Sequence, residues 1–181
     1  MQRQLELLII SFGELPDDSW KQEVAKAESR LRERVASYEG SIRFNADVTS
    51  KNIGRGADWT VLALCFAGAA FVIPELHKKV RENLEEWRRI YQELYAFFSW
   101  ILEERKALYP DEFVFLKAIE ILSEQSLMEE MEFKGMSRLP ESDPDLQGRE
   151  SLVFSFGDTS RLVQVAISRS GEVLWQNVVE L

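Results

Sequence analysis

An unbroken run of sixteen uncharged residues, Trp59–Pro74, most constrains what this chain can fold into. As a helix the run would extend about 24 Å, which is shorter than the roughly 30 Å hydrocarbon core of a bilayer. Its many alanine and glycine residues would let another backbone approach closely inside a protein core. The run therefore predicts a buried segment of a globular domain. The alternative is membrane attachment through Trp59–Pro74, with Trp59 and Lys78 as interfacial anchors.

The N-terminal third reads as a strand, a helix and a second strand. Leu5–Phe12 is nearly continuous apolar sequence, which is typical of a strand that is covered on both faces. From Trp20 to Tyr38 apolar residues recur every three or four positions, which predicts a helix. Ile42–Val48 alternates apolar and polar residues, as a strand with one wet face does. Residues 1–50 are therefore expected to form a β-α-β unit.

The middle of the chain, residues 58–125, is predicted to be helical. Apolar residues follow Pro74 at steps of three and four from Leu76 to Ile101, close to a heptad seam. The sequence "LYPDEF" interrupts this helix, and Phe113–Leu122 begins another one. Two long helices joined by a short break predict a helical hairpin.

Residues 126–181 have the pattern of an antiparallel meander. The short alternating stretches "SLVFSF", "RLVQVAIS" and "VLWQNVV" are separated by the turn sequences "GDTS" and "RSGE". Residues 138–150 are rich in proline, glycine and acidic residues, which predicts a mobile loop. The expected fold class is α+β, with the β-α-β unit, the central helical hairpin and the C-terminal meander in a single domain, 1–181.

The charge balance limits the partners that this chain can bind. It carries 22 basic and 31 acidic residues, a net charge of −9, and residues 126–181 carry five Lys or Arg against ten Asp or Glu. This sign opposes a phosphate backbone, so no nucleic-acid partner is expected. A partner steered by charge would be basic.

The glycines that precede the uncharged run raise the question of an anion site. Gly54 and Gly56 lie between a predicted strand and a predicted helix, with Lys51 and Arg55 to supply positive charge. The third glycine of a dinucleotide motif and the Gly-Lys-Ser/Thr of a P-loop are both missing. The simpler interpretation is a turn whose helix is capped by Asp58. An anion- or nucleotide-binding domain, or an enzyme, that uses the Asn52–Asp58 loop remains the alternative function.

Residues suited to catalysis or to metal binding do not form a recognisable set. The only cysteine, Cys65, and the only histidine, His77, would lie about 18 Å apart on one helix. One cysteine and one histidine cannot build the common zinc sites, and no Gly-x-Ser-x-Gly elbow occurs. We therefore predict no catalytic residue, no metal and no cofactor. A lone cysteine and a start without the pattern of a signal peptide favour a cytoplasmic location.

Without a catalytic set, the sequence favours a non-enzymatic protein-interaction module. An intracellular regulator, an adaptor or an immunity-type inhibitor would fit, and self-association through the Leu76–Ile101 seam is a simpler version of the same hypothesis. Aromatic residues of the kind that anchor interfaces are concentrated on this helix, although each of them could also fill the core. The interface candidates are Trp87, Tyr91, Tyr95, Phe98 and Trp100.

Overall fold

A computed structural model describes residues 4–10, 20–39, 45–52, 60–67, 84–103, 106–125, 131–139 and 151–181. The elements, in chain order, are β1 (Gln4–Ile10), α1 (Trp20–Ala36), β2 (Asn45–Asn52), β3 (Thr60–Ala67), α2 (Leu84–Leu102), β4 (Lys106–Leu108), α3 (Asp111–Glu124), β5 (Glu132–Leu139), β6 (Ser151–Gly157), β7 (Arg161–Ile167) and β8 (Val173–Glu180). The chain divides into two compact units, residues 1–70 with 93–108 and residues 71–92 with 109–181. The α+β class is confirmed, whereas the single-domain organisation stays a prediction.

The first unit contains an antiparallel sheet with the strand order β2-β3-β1-β4. Because β3 pairs antiparallel with both β1 and β2, these two strands run in the same direction with β3 between them. The predicted strand–helix–strand is confirmed, but its strands are not direct neighbours. The element order β-α-β-β-α-β with this strand order is the split arrangement of ferredoxin-like units.

Strand β3 corrects the prediction that residues 58–125 are helical. Thr60–Ala67 pairs over its whole length with β2 on one side, and residues 61–67 pair with β1 on the other. A strand inside a sheet needs no polar side chains when both faces are covered, so its apolar run looks the same as that of a buried helix. The rest of the uncharged run, residue 59 and residues 68–74, lies outside the described residues. In the described part of the chain, no helix is both long and apolar enough to cross a membrane.

The ends of α1 and α2 are joined in the first unit by one arginine and by aromatic side chains. Arg34 donates hydrogen bonds to the Trp100 carbonyl and to the Glu103 carboxylate, and its guanidinium lies 4.6 Å from the centre of the Trp100 ring. The rings of Tyr38 and the buried Phe97 pack edge to face, with their centres 4.7 Å apart. Tyr38 is the last residue of the predicted apolar stripe of α1, and Val24 and Leu31 of the same stripe are buried.

The predicted helical hairpin is confirmed in the second unit. The N-terminal part of α2 lies along α3, with Arg88 Nε 2.8 Å from Glu120 Oε2. The Tyr91 ring stacks on Phe113 at 5.3 Å. Arg88 contacts Glu120, whereas Tyr91, which is later on α2, contacts Phe113, which is earlier on α3. The two helices therefore run antiparallel.

The C-terminal meander is also confirmed, as a separate sheet with the order β5-β6-β7-β8. Helix α3 covers one face of this sheet. The fully buried Phe115 ring packs against Phe133, Phe154 and Phe156 at 5.1, 5.5 and 6.1 Å. Of the predicted loop, residues 138 and 139 belong to β5, and residues 140–150 lie outside the described residues.

The turn between β6 and β7 depends on one carboxylate. Asp158 accepts hydrogen bonds from the backbone N–H groups of Ser160 and Arg161, from the Ser160 hydroxyl and from Arg161 Nε. These hydrogen bonds, of which those from Ser160 have the largest effect, hold the pKa of Asp158 well below its usual range.

We expect Asp158→Asn to lower the thermal midpoint of the second unit at neutral pH, because a neutral amide accepts these bonds less strongly. A carboxyl whose pKa is lowered by folding stabilises the folded state above its unfolded pKa of about 3.9. The difference between wild type and D158N should therefore shrink as the pH falls below this value. Thermal melts of both proteins at neutral and acidic pH test this. A difference that stays constant down to strongly acidic pH would contradict it.

Candidate interaction surface

The last strand of the meander exposes large apolar side chains. Between 40 and 50% of the surface of each of five residues is accessible: Val173, Leu174, Trp175, Val178 and Val179. In contrast, β6, which lies inside the same sheet, is buried at every position except Ser155. Monomeric proteins seldom leave an apolar edge strand uncovered, because such a strand pairs readily with other chains. We refer to residues 173–180 as the β8 edge.

The side chains of β8 alternate between the two faces of the sheet. Gln176 exchanges two side-chain hydrogen bonds, of 3.1 and 2.6 Å, with Gln125 directly after α3. Gln176 and Val178 therefore lie on the face that carries α3, whereas Trp175 and Val179 lie on the opposite face. We call this opposite face the far face. Because both faces of β8 carry exposed apolar groups, the strand does not have one buried apolar face and one polar face in contact with solvent.

The direction of the main-chain groups of β8 follows from one hydrogen bond at its end. The Leu181 N–H donates to the Ser160 carbonyl at 2.8 Å, directly after the last pair of the β7–β8 ladder, Arg161 with Glu180, so Leu181 directs its N–H toward the β7 side. Since this direction alternates along an antiparallel strand, residues 175, 177 and 179 direct their N–H and C=O groups toward β7. Gln176, Val178 and Glu180 direct theirs outward. Among the described residues, no strand pairs with this outer edge.

The β8 edge is acidic as well as apolar. Residues 171–181 contain Glu172 and Glu180 and neither lysine nor arginine. Both glutamates are exposed. Any chain that pairs with this edge must therefore avoid placing its own carboxylates opposite them.

The aromatic interface candidates from the sequence occupy different environments. In the first unit, Phe98 is fully buried, Trp100 is half-buried beneath Arg34, and Tyr95 is 50% exposed. In the second unit, Trp87 and Tyr91 are half-buried. Three residues of the predicted self-association seam fill the core of the first unit, namely Leu94, Phe98 and Ile101.

The candidate anion loop falls largely outside the described residues. Lys51 lies near the end of β2, and residues 53–59, which include Gly54, Arg55 and Gly56, are not described. The same holds for His77, whereas Cys65 lies in β3 opposite Glu6 of β1. No cluster of histidine, cysteine and acidic residues suited to a metal ion occurs in the part of the chain that the structure covers.

A group of charged residues near the start of α3 has a structural role. Asp111 pairs with Arg138 of β5 at 2.7 Å and with Arg169 of the β7–β8 turn at 3.4 Å. Lys117 donates a hydrogen bond to the Gly171 carbonyl, and partial burial lowers its pKa. These contacts connect α3 to the sheet and position the turn from which β8 starts.

The comparisons with known proteins give no further indication of function. No family model, no curated protein and no solved structure matches this chain.

The sequence of β8 indicates that this strand has two apolar faces, which its aromatic content alone does not show. In "VLWQNVV" both alternating sets contain large apolar residues: Trp175 and Val179 in one, Val178 in the other. A terminal strand of this type needs cover on both faces and at its outer edge.

Proposed function

We propose that this protein is a non-enzymatic protein-interaction module that binds through its β8 edge. The observation that carries the proposal is the exposure of five large apolar side chains on a strand whose outer edge has no partner among the described residues. An intracellular regulator, an adaptor or an immunity-type inhibitor would work in this way, by occupying a protein surface without chemistry of its own.

The physical basis of such binding has two parts. The outward N–H and C=O groups of Gln176, Val178 and Glu180 would bond to an added strand, which provides affinity for any extended backbone. The exposed side chains would supply apolar area and specificity, and Trp175 is the residue type that most often anchors an interface. The described residues add no observation in favour of the anion-binding alternative, since most of its loop lies outside them.

We expect Trp175→Lys to remove the protein's binding partners, whereas Tyr95→Lys leaves them bound. Both side chains are exposed, at 40 and 50%, so neither change buries a charge in the core. Loss of an aromatic anchor commonly costs 2 kcal/mol or more of binding free energy, which corresponds to a loss of roughly 30-fold or more in affinity. The measurement is quantitative mass spectrometry of the proteins, a differently tagged copy of the same chain among them, that co-purify with each full-length variant from its native cells.

The two variants separate the competing surfaces. If Y95K loses the partners and W175K keeps them, the binding surface lies on α2 and the β8 proposal is wrong. If both variants retain every partner, β8 is not a binding surface. Thermal melting of each variant checks that the loss is not due to unfolding.

A further inference from the structure

We propose that the occupant of the β8 edge is a second copy of this chain, paired antiparallel with the first about Asn177. This inference rests on the proposed function, since it names the partner for the same edge. It predicts a symmetric dimer in which the two four-stranded meanders form one continuous sheet.

The main chain of β8 is suited to this symmetry. A two-fold axis at Asn177 places Gln176 opposite Val178 of the second copy, and Val178 opposite Gln176. Both residues direct their N–H and C=O groups outward, so each of these opposed pairs can exchange two hydrogen bonds. Such an interface is isologous, because the same strand contributes equally from both copies.

The side chains of β8 are also self-complementary about Asn177. On the far face, Trp175 lies opposite Val179 of the second copy, Asn177 opposite Asn177, and Val179 opposite Trp175. Aromatic groups opposite β-branched residues stabilise neighbouring strands, and paired amides can hydrogen-bond to each other. The pairing covers apolar side chains that are 40% exposed in one copy.

Neighbouring registers fit less well. A shift of two residues in one direction places Glu180 opposite Glu172 of the second copy, which sets like charges against each other. A shift of two residues in the other direction places Val179 opposite Asn177 of the second copy, and Trp175 opposite Leu181 of the second copy. On the far face, the register centred on Asn177 pairs apolar with apolar and amide with amide. On the face that carries α3 it places Gln176 opposite Val178 and Leu174 opposite Glu180, so the glutamates stay apart.

The net charge gives the dimer a distinctive dependence on salt. Two chains of charge −9 repel each other, so added salt should screen this repulsion and tighten the dimer. A basic partner on the same acidic edge would instead be released by salt. The sign of the salt effect therefore distinguishes a second copy from a basic protein.

Sedimentation equilibrium of the purified full-length protein, from low to high micromolar concentration, is the primary test. We expect the mass to approach twice the 21.0 kDa of one chain as the concentration rises. Val178→Pro should weaken the dimer by at least about tenfold, because it removes an outward N–H but no bond to β7. The control Val178→Thr keeps that N–H and should remain a dimer.

A disulfide test does not depend on the proline variant folding. Opposed residues of a non-hydrogen-bonded antiparallel pair have Cα atoms about 4.5 Å apart, within the range that a disulfide spans. In a Cys65→Ser background, N177C should therefore form a covalent dimer under mild oxidation. V179C should not form a covalent dimer, because residue 179 of one copy lies opposite Trp175, and not opposite residue 179, of the other copy.

The outcomes are distinct. A protein that remains monomeric at high micromolar concentration and does not cross-link through N177C overturns the self-pairing. The proposed function is then still judged by the W175K capture experiment. A dimer that persists in V178P, or that weakens as salt is added, shows that the copies associate elsewhere and also overturns the inference.

Discussion

Replacing Phe115 with alanine is expected to lower the free energy of unfolding of the second unit by about 3–5 kcal/mol. Phe115 is fully buried, and its ring lies against those of Phe133, Phe154 and Phe156, which belong to β5 and β6. Truncation removes apolar surface and opens a cavity that the surrounding aromatic rings can close only in part. Phe115, Phe154 and Phe156 are among the largest fully buried side chains of the described residues.

The loss can be measured by urea unfolding combined with hydrogen exchange of the β6 and β7 amides. These amides report on the second unit even if the two units unfold separately. Phe115→Leu is the matched control, since it keeps most of the apolar volume and should cost distinctly less. A loss below about 1 kcal/mol for F115A would show that α3 does not hold the meander together.

The Phe115 variant also tests how the candidate surface depends on the fold. Strand β8 is hydrogen-bonded to β7, and β7 lies beside β6, whose aromatic residues meet Phe115. Loosening this core should therefore weaken the β8 edge without changing any residue on it. Partner capture that is reduced in F115A and retained in F115L would link the stability of the meander to binding.

The elements that the sequence predicted correctly have a strong local period. Helix α1 carries an apolar residue every three or four positions, and Val24 and Leu31 from this stripe are buried as expected. The strands β6 and β7 are short and end at turn sequences, so their pairing follows from neighbouring stretches of chain. In these places the information that determines the structure is local.

At β3 the sequence wrongly predicted a helix, because the information that determines this strand is not local. Thr60–Ala67 is apolar on successive positions, and neither a helical nor a strand period is visible in it. Its conformation depends on pairing with β2 and with β1, and β1 lies more than fifty residues earlier in the chain. A pattern read within a short window cannot contain that information.

The candidate site could be predicted only in part, because exposure is a tertiary property. Tyr95 and Phe98 lie one turn apart on α2, yet one is half exposed and the other is completely buried. Their aromatic character alone does not distinguish these environments. Trp175 lies in a segment correctly predicted as a strand, but its exposure follows from β8 being the last strand of the sheet.

Gly171→Ala is expected to destabilise the second unit by about 2–4 kcal/mol, because two costs add at one position. Gly171 lies in the β7–β8 turn with φ of 85°, in the left-handed region that residues with a Cβ seldom adopt. A Cβ at this position would also lie only 3.1 Å from Cε2 of Tyr109. The Ser168 carbonyl accepts a hydrogen bond from the Gly171 N–H at 2.9 Å, so the turn cannot shift without losing that bond.

The two costs can be separated by a double-mutant cycle with Tyr109→Ala. Removal of the ring should recover the steric part of the G171A loss, and the remainder measures the backbone strain. The adjacent exposed substitution Glu172→Ala is the control and should change stability by less than about 0.5 kcal/mol. Equal losses for G171A and E172A would show that the turn tolerates a side chain at residue 171. A large loss for G171A alone would show that the turn from which β8 starts requires glycine at residue 171.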